Sequence, residues 1–187
     1  MKVLIIAKKT NLELHGNQIH QSVSKGKLDK FYLKALQISH EEHYKTLNEL
    51  TSSLDQIYIS YDMISRGLYW PKLDEVSAII TVGGDGTVLE ASHHLKDDSI
   101  PLIGIRSSAM SVGVLCACSQ AGIRTIVKHL HENTLRYMTL QRLCAEITYA
   151  QSGNTIVTDP ILNDFLFANK SPALTSRYNV SYNKISE

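Results

Sequence analysis

The stretch that decides the fold reads Val76-Ser77-Ala78-Ile79-Ile80-Thr81-Val82-Gly83-Gly84-Asp85-Gly86-Thr87. Its first seven residues are mostly apolar and rich in β-branched side chains, which predicts a buried strand. The glycines that follow predict a tight turn, and the residues after the turn predict the start of a helix. A strand, a glycine turn and a helix in this order place backbone N–H groups at the carboxyl edge of a parallel sheet, where open α/β folds bind their ligands.

This turn has the chemistry of a phosphate-binding loop. Glycine lets the backbone approach phosphate oxygens closely, and the N-terminus of the following helix carries partial positive charge. Thr87 and Glu90 have the spacing of a capping box, which predicts a helix that begins at Val88. Asp85 then stays in the loop, with its carboxylate free for a ligand, a metal ion or a hydroxyl group. In the alternative interpretation the turn is purely structural, and Asp85 bonds only neighbouring N–H groups.

The first part of the chain alternates predicted strands with predicted helices. Strands are predicted at residues 3–7, 57–59, 76–82 and 100–105. A helix is predicted from a second capping box, Ser39 with Glu42, and another over residues 123–130, whereas the polar residues 11–30 predict a loop. This order predicts an α/β fold, with a Rossmann-like parallel three-layer domain over residues 1–134.

The pattern changes near residue 135. Apolar and polar residues then alternate with the period of a half-buried antiparallel strand, the apolar ones being Leu143, Ala145, Ile147 and Tyr149. A turn at residues 151–154 leads into a returning strand from residue 155, and a further strand is predicted at 161–167. Residues 135–187 therefore predict part of a β-rich domain. Because so few strands cannot bury a core of their own, this part is either completed by another subunit, in a homo-oligomer, or genuinely fragmentary.

Composition and motif spacing exclude several classes of protein. The chain has 187 residues with a net charge of +1 and no basic stripe, so we expect no nucleic-acid partner. No apolar run is long enough to span a membrane, and three cysteines without a disulfide framework favour a cytoplasmic location. The cysteines lack zinc spacing, so no metal-ligating residues are assigned. A Walker P-loop is absent, and Leu89 stands where the dinucleotide motif needs glycine.

Two further positions carry candidate binding chemistry. Arg106 ends a predicted strand beside the glycine turn, where a guanidinium can bind phosphate with two parallel hydrogen bonds, or else form a surface ion pair. At a strand end, the Asn163 amide could bond an adenine edge while the Asp164 carboxylate accepts from ribose hydroxyls. The alternative for this pair is a turn after Pro160.

Together, these landmarks resemble the NAD kinase family. Gly83 to Thr87, the Ile103–Cys116 region and Asn163-Asp164 occur in the family's order. Residues 162–169 and 171–178 are particularly similar to the branch that contains the NADH-preferring and mitochondrial-type kinases. The resemblance covers almost the whole chain, from about Lys8 to Tyr178.

This resemblance implies transfer of the γ-phosphoryl group of ATP to the 2′-hydroxyl of the adenosine ribose of NAD or NADH, with Mg²⁺ or another divalent metal. It also implies a dimer or a tetramer. The implied roles are a base or metal organiser at Asp85, adenine and ribose binding by Asn163 and Asp164, and phosphate binding by Gly83, Gly84, Gly86, Thr87 and Arg106.

The chain also departs from the family pattern. Arg106 stands where the family usually has asparagine, which adds a positive charge beside the substrate. The glycine-rich Asp-Gly segment and the small-residue stretch that complete the family's nucleotide site are absent, so we expect a member without the C-terminal part. The leading hypothesis is an NAD(H) kinase. The alternatives are a catalytically silent nucleotide-binding or assembly subunit, and a lipid or other small-molecule kinase that shares the glycine turn.

Overall fold

The computed structural model describes residues 1–171, 173–182 and 185–186. Its main sheet has five parallel strands in the spatial order β2-β1-β3-β4-β5. These strands are β1 (Lys2–Ala7), β2 (Ser60–Ser65), β3 (Ala78–Gly83), β4 (Leu102–Arg106) and β5 (Cys118–Ser119). From β1 the chain proceeds to β2 on one side and then to β3 on the other, so the order reverses between β1 and β3. Ligands bind at such reversal points in open α/β sheets.

The described residues form four α-helices: α1 (Asn11–Ser24), which packs against α2 (Lys30–Gln56), and α3 (Asp85–His93) and α4 (Ile123–His131), which with α2 cover the sheet. On one face, α2 and α4 bury side chains such as Leu50, Leu54 and Val127 against the sheet. On the other face, α3 buries Ala91 against Leu4. The predicted parallel three-layer α/β fold is confirmed. Because both faces are covered, β3 is buried along its whole length, which explains its mostly apolar sequence.

The predicted loop at residues 11–30 is wrong, because most of it forms α1. Thr10 caps this helix in a reciprocal capping box with Glu13. The helix also contacts α2 through the Tyr44 hydroxyl, which donates to Glu13 Oε1 at 2.6 Å. Ile19 is the buried residue of α1, so its sequence lacks the apolar stripe that would have predicted a helix.

The predicted starts of α2 and β2 are also wrong. Helix α2 begins at Lys30, where Asp29 caps it, and the Ser39–Glu42 pair lies inside the helix. The predicted strand at residues 57–59 is instead the turn that leads into β2, and Tyr58 has a φ of 57° there. Strand β2 lies at the edge of the sheet and is largely exposed, so its sequence is polar and does not show the pattern of a buried strand.

Two short antiparallel pairs follow the main sheet: β6 (Glu146–Thr148) with β7 (Thr155–Val157), and β8 (Ser181–Tyr182) with β9 (Ile185–Ser186). The predicted turn at residues 151–154 is confirmed, with Gly153 at a φ of 70°. This agrees with a β-rich C-terminal part. The predicted half-burial is wrong, because apolar side chains on this hairpin are exposed, including Leu143, Ile147, Tyr149, Ile156 and Val157.

The predicted strand at residues 161–167 is likewise wrong. Ile161 forms an isolated bridge to Leu143, and residues 162–167 have no regular secondary structure. A single bridge lacks the neighbouring strand that would hold the following residues extended. In the 171–178 motif, Pro172 lies outside the described residues. Over the described part of the chain, no helix combines the length and apolar character needed to cross a membrane.

Candidate functional site

The site is built from the carboxyl ends of four neighbouring strands. Lys8 follows β1, Arg66 follows β2, the glycine loop (residues 83–87) begins at the end of β3, and Arg106 ends β4. Backbone hydrogen bonds continue the sheet past the strand ends, from Lys8 N to Val82 O at 3.0 Å and from Arg66 N to Ala7 O at 2.8 Å. These residues therefore lie side by side where the strand order reverses.

At two positions of the loop, neighbouring atoms lie so close to the backbone that only glycine fits. A Cβ on Gly83 would lie 2.2 Å from Thr87 Oγ1, and a Cβ on Gly84 would lie 2.5 Å from the Val112 carbonyl oxygen. Either distance is well inside van der Waals contact. At Gly86 a Cβ would lie 3.4 Å from the Arg66 guanidinium. The loop is thus packed against its neighbours on several sides, and glycine is the residue that fits at its first two positions.

The predicted capping box at Thr87 and Glu90 is wrong. Helix α3 begins at Asp85, its N-cap is Gly84, and Thr87 is buried in the first turn. The Asp85 N–H donates to the Val112 carbonyl at 2.9 Å, so a contact from another segment takes the place of a side-chain cap.

The Asp85 carboxylate is not free, contrary to the prediction. It accepts hydrogen bonds from the backbone N–H groups of Val114, at 3.1 Å, and Leu115, at 2.8 Å. These bonds tie the segment after β4 to the start of α3, which no local pattern in the sequence indicates. Each carboxylate oxygen can accept a further hydrogen bond, because each has a second lone pair. Asp85 can therefore support the segment and still accept a proton or a cation.

Three cations flank the glycine loop: Lys8, Arg66 and Arg106. The Lys8 amine donates to Ser111 Oγ at 2.8 Å, and burial together with the Arg66 charge lowers the pKa of Lys8. Within the described residues, neither Lys8 nor Arg106 has a carboxylate oxygen within 4.0 Å. The surface ion pair considered for Arg106 is thus not formed with any described residue, and its stem packs over Gly113.

Lys8 and Arg66 were missed as site residues by sequence reasoning. Lys8 directly follows a correctly predicted strand, so its position at the carboxyl edge was a usable signal. Arg66 had the same signal, but β2 was predicted at the wrong residues. Arg106 does lie at a strand end, as predicted.

Asn163 and Asp164 lie in the irregular segment after the isolated bridge, and both are exposed. The Asn163 amide donates to the Asp164 carboxylate. Across the described residues, no hydrogen bond joins either side chain to the glycine loop. Their roles in NAD binding stay predictions.

Binding of a metal ion at the glycine loop depends on the carboxylates that are available there. In the described part of the chain, no group of three or more His, Cys, Asp or Glu side chains could hold a metal ion. Magnesium bound to a nucleotide needs only one or two protein carboxylates, since phosphates and water supply its other ligands. Asp85 is the carboxylate at the loop that fits this requirement.

A buried histidine lies behind the site on α2. His43 is 1% exposed, and its Nδ1 has no hydrogen-bond partner among the described residues. Burial, followed by the nearby charge of Lys8, lowers the pKa of His43 to about 4 from its ordinary value of 6.5. The folded chain therefore holds this imidazole neutral over a range of pH in which the unfolded chain protonates it.

We expect this difference to make stability depend on pH. The contribution of His43 to the free energy of unfolding is fully present above about pH 6.5 and is lost as the pH falls towards about 4. One pKa unit corresponds to about 1.4 kcal/mol, so the expected loss is about 3 kcal/mol. Urea unfolding at about pH 6.5 and at about pH 4 measures this loss of stability. In the His43→Leu control this part of the dependence should disappear, and an equal dependence in both proteins would contradict the assignment.

The site geometry agrees with what sequence comparison finds. A profile of the ATP-NAD kinase N-terminal domain matches residues 4–134. The chain belongs to the ATP-NAD kinase family. The resemblance inferred from the glycine loop is therefore confirmed, and the NAD kinase match includes the ends of β1, β2, β3 and β4, where the candidate site lies.

Individual NAD kinase relatives are similar over part of their length. The chain is 28% identical to a probable NADH kinase of Oryza sativa subsp. japonica, with 73% of this chain and 45% of the relative covered. It is 29% identical to an NADH kinase of Arabidopsis thaliana, with 81% of this chain and 41% of the relative covered. The chain thus spans less than half the length of these two curated relatives.

A solved structure supports the fold. The crystal structure of an NAD kinase from Archaeoglobus fulgidus in complex with ATP matches with a TM-score of 0.56 at 16% identity. The match covers 92% of this chain and 50% of that chain. At this identity the likeness extends to the fold alone.

Proposed function

We propose that this chain is an NAD(H) kinase, which transfers the γ-phosphoryl group of ATP to the adenosine ribose 2′-hydroxyl of NAD or NADH. The observation that carries the proposal is the glycine loop at the β1/β3 reversal point, with Asp85 at its centre and Lys8, Arg66 and Arg106 around it. Phosphoryl transfer depends mainly on positioning and on neutralising phosphate charge, and this arrangement supplies both.

Each part of the loop has a proposed role. The backbone of Gly83, Gly84 and Gly86, at the N-terminus of α3, binds phosphate oxygens, and Arg106 adds a cation from β4. Thr87 was predicted to bind phosphate, but its side chain is buried against Gly83, so we assign it instead to supporting the shape of the loop.

Asp85 acts on the hydroxyl that is phosphorylated. It accepts the proton of the 2′-hydroxyl as the ribose oxygen forms a bond to the γ-phosphorus, and the bond from that phosphorus to the bridging oxygen of ADP breaks. Asp85 would also be one ligand of a nucleotide-bound magnesium ion, which when bound supplies neutralisation of phosphate charge. The two backbone N–H groups that bond Asp85 hold its carboxylate in place for either task.

We place the NAD-binding residues, Asn163 and Asp164, in a second domain. In this proposal residues 1–134 carry the phosphate loop and residues 135–187 form part of a β domain. The exposed apolar side chains of the β6–β7 hairpin, such as Ile156 and Val157, favour a homo-oligomer in which another copy covers them. The same exposed side chains are compatible with the second candidate, a catalytically silent nucleotide-binding or assembly subunit. That candidate is also favoured by Asn163 and Asp164, which are exposed and, within the described residues, have no side-chain hydrogen bond except the one that joins them.

The test is to incubate the purified chain with Mg-ATP and either NAD or NADH, and to measure formation of NADP or NADPH. Calorimetric titration with each nucleotide and sedimentation of the same sample measure binding and oligomeric state. Turnover supports the kinase. Saturable nucleotide binding without turnover supports the silent subunit. A chain that neither binds nor phosphorylates NAD or NADH would overturn the proposal, and turnover of another acceptor would favour a different small-molecule kinase.

A further inference from the structure

Two cations lie beside the glycine loop: Lys8, which follows β1, and Arg66, which follows β2. The Arg66 guanidinium covers Gly86, with its two terminal nitrogens 3.4 and 3.8 Å from the position of an added Cβ. The pKa of Lys8 is lowered first by burial and then by the charge of Arg66. Lys8 donates to a neutral hydroxyl, that of Ser111, rather than to a carboxylate. Holding two positive charges together costs free energy, and an anion bound between them would recover it.

A carboxylate behind Arg66 sets the direction of the guanidinium. Glu90, on α3, accepts from Arg66 Nε and also from the Gly67 backbone N–H, at 2.8 Å. Because Glu90 engages the Nε side, the two terminal nitrogens stay on the side of the glycine loop. Within the described residues, those terminal nitrogens have no hydrogen-bond partner. They form a fork of the kind that binds phosphate with two parallel hydrogen bonds.

We propose that Lys8 and Arg66 form a second phosphate-binding point beside the glycine loop, and that Glu90 is the positioning residue for Arg66. The ligand is a phosphate group of a nucleotide, either in the triphosphate of ATP or in the pyrophosphate of NAD. This inference rests on the proposed function, and it adds a charged contact from β1 and β2 to the backbone contacts of the loop.

The proposal is tested by calorimetric titration of the full chain with inorganic tripolyphosphate, ATP and NAD. Loss of one charge-assisted phosphate contact is expected to weaken tripolyphosphate binding about 10- to 100-fold in Arg66→Gln and in Lys8→Gln. Arg66→Lys should not restore binding, because one ammonium cannot both bond Glu90 and present a fork to the loop.

Glu90→Gln distinguishes positioning from direct contact. It keeps the size of the side chain and leaves both cations present, so removing the carboxylate would strengthen binding if charge alone mattered. We expect weaker binding instead, since the guanidinium loses its orientation. The matched control is the ion pair between Arg124 on α4 and Glu49 on α2. It is also formed through the arginine Nε, at 2.6 Å, but it lies away from the glycine loop. Arg124→Gln should leave tripolyphosphate binding unchanged.

The outcomes separate this inference from the proposed function. If the unaltered chain binds none of the three probes, the proposed function fails. If it binds them and the Arg66 and Lys8 variants bind tripolyphosphate equally well, the second phosphate point is overturned while the function stands. Weakened binding of ATP but not NAD assigns the point to the phosphoryl donor, and the reverse result assigns it to the NAD pyrophosphate. Thermal unfolding checks each variant, and Lys8→Gln and Glu90→Gln carry the test if Arg66→Gln does not fold.

Discussion

Replacing Asp85 with asparagine is expected to lower the rate of NADP(H) formation by about 100-fold or more. The substitution removes the negative charge that accepts the 2′-hydroxyl proton and holds magnesium, while the side chain keeps its size. ATP binding should change much less, because the backbone of the loop and the surrounding cations remain. The measurement is kcat with saturating Mg-ATP and NAD or NADH, together with calorimetric titration of ATP.

A structural effect must be separated from this chemical one, because the Asp85 carboxylate also bonds the N–H groups of Val114 and Leu115. Asparagine retains one acceptor oxygen, so part of that support remains. The matched control is Asp97→Asn, because Asp97 also accepts a backbone hydrogen bond, from Ser99 at 2.9 Å, in a loop after α3. If Asp85→Asn lowers ATP affinity and thermal stability in step with kcat, its role is structural. Undiminished turnover would eliminate Asp85 as the base.

The second large effect is expected from Gly84→Ala. The added methyl group would lie 2.5 Å from the Val112 carbonyl oxygen, a backbone atom that cannot rotate away. The loop and the 111–115 segment must separate, which is expected to cost about 1–3 kcal/mol of stability and to abolish measurable ATP binding. Urea unfolding and ATP titration measure the two effects.

Gly16→Ala provides the control for this substitution. Gly16 lies in α1, and a Cβ there would meet nothing within 4 Å. Alanine is favoured over glycine in a helix by about 0.5–1 kcal/mol, so this variant should gain stability and bind ATP normally. A Gly84→Ala protein as stable as the unaltered chain, with the same ATP affinity, would show that the close approach at the loop is not required.

Much of the α/β architecture was predictable from local pattern. The runs that became β1, β3 and β4 are mostly apolar because these inner strands are covered on both faces. Helix α4 was predictable because its buried residues, Ile123, Val127 and Leu130, recur with helical spacing. Helices and strands that bury few side chains were either not predicted or predicted at the wrong residues. Helix α1 buries Ile19 only, and β2 is an exposed edge strand, so their sequences lack the pattern that reveals a buried face.

For the candidate site, sequence and tertiary structure contributed different parts. The order of strand, glycines, acid and helix at residues 76–93 was readable along the chain, because each step depends on neighbouring residues. The surroundings of Asp85 were not readable, because its partners come from a segment about thirty residues later. Lys8 and Arg66 likewise lie beside the glycine loop only because β1 lies between β2 and β3. Strand order brings these charges together, and it results from packing over the whole sheet rather than from any local pattern.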